Sequence, residues 1–521
     1  MSRFRRLISL PSFPFIFAIF VPLNLLSVNL SMFAPVEILR SVVVFVFATA
    51  VLLVLLTGII RNRETAAVVL FLVLIGIWTY PFGSKFLAGW TIFSLGALIC
   101  IVKWPLRRPG VIVLNMLTVG VLLIPLIVIA PKLLPEKPPP RGQFSDGVFG
   151  FSDKKQTESL PSIVHIVLDG YSSNQALAKI YKFDNGRFAQ SLRELGFVVF
   201  PNIDTPYNQT LLTMSSIFHG DYLDLSKPPF SVNDRTEISN SVGRFITENL
   251  VHQQLRKAGY TLGHTPIGYG PLVFPEYNVT SVSENMMLQM NLFEMHLFAS
   301  TWLKQMLPFS QLAALGYDTL VRQAFTDRFY RRLQEPFHIY QHVLAPHPPF
   351  SMDRSGESGW SDNLAFDSIS DGDHSTYGKP DLQAKYRSGY VEKLIYTNAA
   401  ILEQMRDLLS NVKGPKVVII HGDHGGGSLL LQEDAGGTCI AERMQTFAAV
   451  YSDVDAIRSA FHAELSAEPN TINLYRILFG TMFGVDIAAL PTRSHFVPWS
   501  NFEEFVEVDP ARFNDACKVD D

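Results

Sequence analysis

Five uncharged apolar runs crowd the first 131 residues, and no other feature restricts the fold of this chain so strongly. They are Leu7 to Val36, Ser41 to Ile60, Ala66 to Ser84, Phe86 to Val102 and Gly110 to Pro131. A helix that crosses a bilayer needs about 20 apolar residues, so five spans fit, the fourth being the shortest. Charges between the runs give the orientation. Arg3, Arg5 and Arg6 precede the first run, Arg61 and Arg63 follow the second, and Lys103, Arg107 and Arg108 follow the fourth. The alternate connections hold only Glu37 and Arg40 in one and Lys85 in the other. Positive residues stay inside, so the N-terminus is expected in the cytoplasm and everything after Pro131 outside. A multi-pass protein of the cell membrane, with its second half periplasmic or extracellular, is the expected localisation.

Composition agrees with this reading. Hydrophobic residues make up 48% of the chain and charged ones 17%, a balance that leans toward the membrane class. A net charge of -4 gives no basic surface for nucleic acid. Cys100, Cys439 and Cys517 are the three cysteines; they show no zinc spacing, and nothing in the sequence argues for pairing Cys439 with Cys517.

Residues 132–160 hold Pro135, Pro138, Pro139 and Pro140 with lysines and no apolar period, the texture of a semi-rigid linker. From Pro161 strands and amphipathic helices alternate. Ile163 to Leu168, Phe197 to Phe200, Phe337 to Leu344 and Lys416 to Ile420 read as strands. Asn185 to Leu195, Leu211 to Phe218, Val251 to Ala258 and the spacing of Val391, Leu394, Ile395, Leu402, Met405 and Leu409 read as helices. Such alternation predicts a mostly parallel sheet flanked by helices. The expected domains are therefore a transmembrane domain at 1–131, a linker at 132–160, a catalytic domain at 161–500 and a tail at 501–521.

Chemistry concentrates where the strands end. Lys416-Val-Val-Ile-Ile-His-Gly-Asp-His-Gly-Gly-Gly427 is a buried strand running into His421, Asp423, His424 and three glycines. Ile163 to Leu168 runs likewise into Asp169-Gly170. Parallel strands point their carboxyl ends the same way, toward the crevice where open α/β sheets bind ligands. Asp169, Asp423 and His424 could there converge on one cation, and Asp with His suits zinc or manganese. The other reading of Asp169-Gly170 is a plain turn. Thr205-Pro-Tyr-Asn-Gln-Thr-Leu-Leu-Thr-Met-Ser-Ser-Ile-Phe218 places hydroxyls at the start of a helix, either as simple N-caps or as a nucleophile beside free N–H groups that attract phosphate. In His342-Val-Leu-Ala-Pro-His-Pro-Pro-Phe350, prolines hold His347 near the sheet edge, where it could donate to a phosphate oxygen or protonate a leaving alkoxide. His342 is expected to pack within its strand, and His421 to close its own.

In this order the motifs resemble the sulfatase-like branch of the alkaline phosphatase superfamily. They are Val-Leu-Asp169-Gly, Gln-Thr210-Leu-Leu-Thr-Met-Ser-Ser-Ile-Phe, Pro-His347-Pro-Pro-Phe and Gly-Asp423-His424-Gly, followed by Asn473 to Phe479 and Leu490 to Phe496. The five-run anchor is similar to that of lipoteichoic acid synthases and lipid A phosphoethanolamine transferases. The resemblance implies a five-helix transmembrane bundle followed by an alkaline-phosphatase-like domain. It implies one divalent metal, zinc or manganese with magnesium as a further choice, held by Asp169, Thr210, Asp423 and His424. It implies Thr210 as nucleophile and His347 against the substrate phosphate. The activity implied is transfer of a phosphoglycerol or phosphoethanolamine group from a membrane lipid donor to an envelope glycan or lipid acceptor. The alternatives are a phosphodiesterase that uses water, and a non-catalytic membrane scaffold.

Three departures accompany the resemblance. Asp169 stands where both transferase families have Glu, Gly426 stands where Glu commonly follows Asp-His-Gly, and no histidine soon after His424 matches a further substrate-site histidine. Position 210 is Thr without the C/S-x-P-x-R context of true sulfatases. The glycines 425–427 read as room for a substrate.

Overall fold

The computed structural model describes residues 10–30, 35–78, 83–103, 108–133, 160–227, 235–265, 292–301, 309–358, 371–372 and 378–519, with Phe33, Phe149, Leu272, Phe274, Val279, Thr280 and Thr376 besides. The N-terminal arginines, most of the linker and the middle of the polar loop that follows Ser351 lie outside these residues. The chain divides into two compact units, Met1–Lys137 with Gln289–Ala313, and Pro138–Leu288 with Ala314–Asp521.

In the first unit the apolar runs form the helices Phe13–Val28, Leu39–Ile60, Arg63–Ile77, Gly83–Lys103 and Arg108–Ile129. Among the described residues, Leu39–Ile60 and Arg108–Ile129 are long and apolar enough to cross a membrane. Their outward side chains are apolar as well: Val54 is 71% exposed and Ile127 69%. The core of the unit is small residues and aliphatics, Ala66, Ala67, Val68, Leu70 and Leu72 packed with Phe13, Leu53 and Val111. Asn115, buried in the last helix, accepts from the backbone N–H of Ser12 and Phe13 and donates to the Leu10 carbonyl, which satisfies donors that open the first helix.

The second unit is built on a seven-stranded sheet. Its strands are β1 (Ser162–Leu168), β2 (Val198–Asp204), β3 (Thr261–Thr265), β4 (Val279–Thr280), β5 (Phe337–Val343), β6 (Lys416–His421) and β7 (Gln445–Ser452), in the order β2-β7-β6-β1-β5-β3-β4. A hairpin of β8 (Ser494–Phe496) and β9 (Val506–Val508) stands apart. β1 lies at the centre, parallel to β5 and β6, with Val167 opposite both His342 and His421. All residues of β1, β5 and β6 are buried, as a parallel sheet covered on both faces requires. Side chains alternate between faces along a strand. On β5, His338 reaches Tyr475 of the helix Leu474–Phe483, while Gln341 reaches Gln404 of the helix Pro380–Asn411. The two helices therefore cover opposite faces.

β7 departs from the alternation, running antiparallel to both β6 and β2. An antiparallel strand begins at the edge where its parallel neighbours end. Residues just before Gln445 are thereby delivered to the edge that carries Asp169 and Asp423.

Candidate metal centre and nucleophile

In-register pairing sets the strand tips level. Asp169 follows β1, His347 follows β5, Asp423 and His424 follow β6, and Thr210 opens the helix Thr210–His219 after β2. Ligand atoms of Asp169, Asp423 and His424 lie within 4.8 Å of one another, all three buried.

The hydrogen bonds leave particular atoms bare. Asp423 Oδ1 accepts from the backbone N–H of Gly170 and His424, and Asp169 Oδ2 accepts from His342 Nε2 at 3.2 Å. Their other oxygens, Asp169 Oδ1 and Asp423 Oδ2, are buried without a hydrogen-bond partner. His424 Nδ1 donates to the Gly425 carbonyl at 2.9 Å, which leaves the lone pair on Nε2. That nitrogen stands 3.6 Å from Asp169 Oδ1 and 3.5 Å from Asp423 Oδ2. Thr210 Oγ1 is 3.2 Å from the same nitrogen. Two orphaned carboxylate oxygens and an imidazole lone pair facing one point fit a divalent cation, because a buried carboxylate oxygen without a partner is costly and Asp with His is a donor set for zinc or manganese.

Electrostatics follow from this crowding. Burial alone would raise the Asp169 carboxyl, but His347, the hydrogen bond from His342 and His424 together hold it below the usual carboxylate range. Burial pushes the His424 imidazole down, and the Arg443 guanidinium beside it pushes the same way.

Thr210 is the first residue of its helix, and its N-cap Gln209 makes no side-chain cap hydrogen bond. The helix thus opens with unsatisfied N–H groups at its positive end, a site for phosphate. His347 Nδ1 donates to the Pro348 carbonyl at 2.8 Å, and its Nε2 lies 3.5 Å from Asp371 Oδ2.

Several residues at this edge escaped the sequence reading. His342 does pack within β5, but it also orients Asp169, and Tyr340 Oη at 2.9 Å from His342 Nδ1 fixes its tautomer. Lys393 is fully buried and donates to the carbonyls of His347 and Pro349, anchoring the proline loop. Burial lowers its ammonium to about 8, against the attraction of Asp318 and Asp169. Asp371 accepts from Tyr386 and Arg443. Burial opposes its ionisation, yet His347, Arg443 and Tyr386 keep its carboxyl low.

The expected room for a substrate at the glycines is absent: other parts of the chain approach closely there. A Cβ at Gly425 would meet the Glu442 carbonyl at 1.9 Å, and one at Gly427 would meet the Asp371 side chain at 2.8 Å. At Gly426 it would meet Tyr181 Oη at 2.0 Å. Tyr181 donates to Glu442, whose carboxylate also accepts from Ser428 and the Leu429 N–H. Tyr181, held by Glu442, thus fills the place a glutamate at 426 would need. His421, which matched no role, belongs to a deeper layer: its Nε2 is 2.8 Å from His165 Nε2. Cys439 and Cys517 form a disulfide, a pairing for which no sequence feature argues.

No family model and no curated protein matches the chain. Solved structures do. The integral membrane protein lipooligosaccharide phosphoethanolamine transferase A of Neisseria meningitidis is 15% identical, with 90% of this chain and 82% of that chain covered and a TM-score of 0.42. The C-terminal periplasmic domain of EptC from Escherichia coli is 13% identical over 71% of this chain and 98% of that one, TM-score 0.42. The same domain in complex with Zn is 11% identical over 66% of this chain and 89% of that one, TM-score 0.37. These are distant likenesses.

Proposed function

We propose that the chain is a membrane-anchored, metal-dependent transferase. Thr210 would take a phosphoglycerol or phosphoethanolamine group from a lipid donor and pass it to an envelope glycan or lipid. The observation that carries this reading is the meeting of Thr210 Oγ1 with His424 Nε2 and the two unpartnered oxygens of Asp169 and Asp423. Asp169, Asp423, His424 and Thr210 would hold one divalent ion, zinc, manganese or magnesium, which supplies positive charge to the phosphoryl oxygens and to the threonine oxygen.

The residues then divide the work. Thr210 gives up its proton to solvent. Its Oγ bonds phosphorus as the bond to the lipid alkoxide breaks. His347 donates a proton to that alkoxide. An acceptor hydroxyl then attacks the phosphothreonine, His347 takes its proton, and the bond from Oγ to phosphorus breaks, Thr210 taking a proton back from solvent. The opening N–H groups of the Thr210–His219 helix bind phosphoryl oxygens throughout.

The anchor in this reading is a bundle of the five apolar helices, with the second unit outside the cytoplasm. The apolar outward faces of Leu39–Ile60 and Arg108–Ile129 support it, since so large an exposed apolar surface needs an apolar surrounding. The Cys439–Cys517 disulfide supports the outer placement, because disulfides persist in oxidising compartments.

The test is intact-mass spectrometry after incubation with phospholipid. Wild type should gain one headgroup-phosphate adduct on Thr210, and Thr210→Ala should gain none and lose transfer. Full metal-dependent activity in Thr210→Ala would sink the mechanism. Absence of bound divalent metal in the purified protein would favour the non-catalytic scaffold instead.

A further inference from the structure

Arg443 has no part in the scheme above, yet its guanidinium is the nearest cation to the candidate nucleophile's neighbour. It is the last residue but one of the short helix Ile440–Met444, which runs directly into β7, and it reaches the strand-tip edge because β7 runs antiparallel. It is 6% exposed. Three contacts fix it. Nε donates to the Asn208 carbonyl at 2.9 Å, two residues before Thr210. Nη1 donates to Asp371 Oδ2 at 2.9 Å and to the Gly425 carbonyl at 3.3 Å. The remaining nitrogen, Nη2, faces His424 Nε2 at 3.4 Å.

That last contact cannot coexist with a ligand role for His424. Nδ1 of His424 is committed to the Gly425 carbonyl, so the ring has one lone pair, on Nε2. Once this lone pair serves as a ligand it no longer accepts from Arg443. Nη2 then points its protons at the Thr210 side of the site with no acceptor among the described residues. A buried donor without an acceptor is costly, and a guanidinium beside a bound cation is repelled unless an anion comes between them. A phosphoryl oxygen answers both needs, and guanidinium is well suited to phosphate.

We propose that Arg443 is the anion-recognising group of this site: Nη2 donates to a non-bridging oxygen of the phosphoryl group at Thr210, while Asp371 and the Asn208 carbonyl hold the guanidinium in place. The proposal rests on the transfer reading for the identity of its ligand, a phosphate ester. Arg443 would touch the substrate, whereas Asp371 would act through it.

The experiment uses the full-length, metal-loaded protein and two probes, inorganic phosphate by calorimetry and bis(4-nitrophenyl) phosphate for turnover. Arg443→Met should keep the wild-type metal content, bind phosphate at least about tenfold more weakly, and lose about 10²-fold in kcat/KM, the scale for removing one oxyanion donor. Arg443→Lys should recover part of both. Should Arg443→Met misfold because Asp371 is left unpaired, the double variant Arg443→Met/Asp371→Asn removes both charges and is read the same way. Equal phosphate affinity at equal metal content overturns the proposal. So does weakened binding that extra metal fully restores, since Arg443 would then act on the metal alone. Wild-type phosphate binding that depends on Arg443, without a Thr210 adduct or turnover, would end the transfer reading and leave the anion site standing. An undiminished Thr210 adduct in Arg443→Met does the reverse.

Discussion

Two layers of histidine cross the same three central strands, and they differ in everything except burial. In the deep layer His421 Nδ1 donates to the Gly422 carbonyl, His421 Nε2 accepts from His165 Nε2, and His165 Nδ1 accepts from Tyr475 Oη, which accepts in turn from His338 Nε2. The carbonyl at one end fixes every tautomer along this string, and each ring is neutral. His338 Nδ1, at the far end, has no partner. In the upper layer, one or two turns of pleat further along, His342, His347 and His424 stand beside Asp169, Asp371 and Asp423. There the bare atoms are carboxylate oxygens and one imidazole lone pair, all turned to one point. A buried histidine is therefore not informative by itself. What separates a structural ring from a candidate ligand is whether its lone pair is already taken by the chain.

The largest expected effect is a crossing of phenotypes between the layers. Asp423→Asn removes one ligand charge above; it should abolish metal retention and transfer. It should also stabilise the metal-free protein, because a buried unpartnered carboxylate oxygen is replaced by a neutral amide. His165→Phe below should leave metal content unchanged and lower stability by about 2–6 kcal/mol, at about 1–3 kcal/mol for each of the Tyr475 hydroxyl, left without its acceptor, and the His421 nitrogen, left without its donor. Metal analysis and denaturation of both variants decide it. If His165→Phe loses metal while Asp423→Asn keeps it, the division into layers is wrong.

The next effect is a pH dependence to which the deep layer contributes. Burial holds His165 well below the usual imidazole range and His338 at about 3, and neighbouring imidazoles add to the effect for His165. The unfolded chain, with ordinary histidines near 6.5, binds more protons than the native one below that pH. Stability is therefore fully present above pH 6.5 and falls as pH drops toward the native values. The slope is about 1.4 kcal/mol per pH unit for each histidine. Denaturant midpoints at pH 7.5, 6.5 and 5.5 should decline over the lower interval, and His338→Phe should flatten the decline. An equal slope in that variant would remove His338 from the account.

These contrasts also mark how far the sequence could be read. The strand tips were legible because a buried β-branched run leaves little doubt about direction, so Asp169, Asp423 and His424 could be assigned to one edge from pattern alone. Thr210 was legible as a helix start. Arg443 and Asp371 were not. Asp371 lies in a polar stretch with no period, and Arg443 sits in a five-residue helix whose charges resemble any solvated turn. Only the reversal of β7 brings them to the edge, and nothing local distinguishes an antiparallel entry from a parallel one in a fully buried strand. Tyr181 and Glu442 around Gly426 were hidden for a related reason: a missing side chain is visible in sequence, the one that fills its space is not.

The smallest expected effect tests the seam between the layers, which runs along β5. His338 and His342 share one face of that strand, and Tyr340 lies between them. Tyr340 donates to His342 Nδ1, His342 Nε2 donates to Asp169 Oδ2, and Asp169 Oδ1 is left for a cation. His342→Gln should weaken metal affinity by about 10–100-fold, as loss of a partner behind a ligand does. Tyr340→Phe removes only the hydroxyl that sets the tautomer, so its cost is one hydrogen bond, about 0.5–1.5 kcal/mol, or about 2–10-fold in metal affinity. The ring stays, and with it the packing against His165 and Phe218. Competition with a fluorescent chelator resolves such factors. A Tyr340→Phe effect as large as that of His342→Gln would mean that the imidazole flips when its tautomer is released, and that Asp169 is held by the whole string rather than by His342 alone.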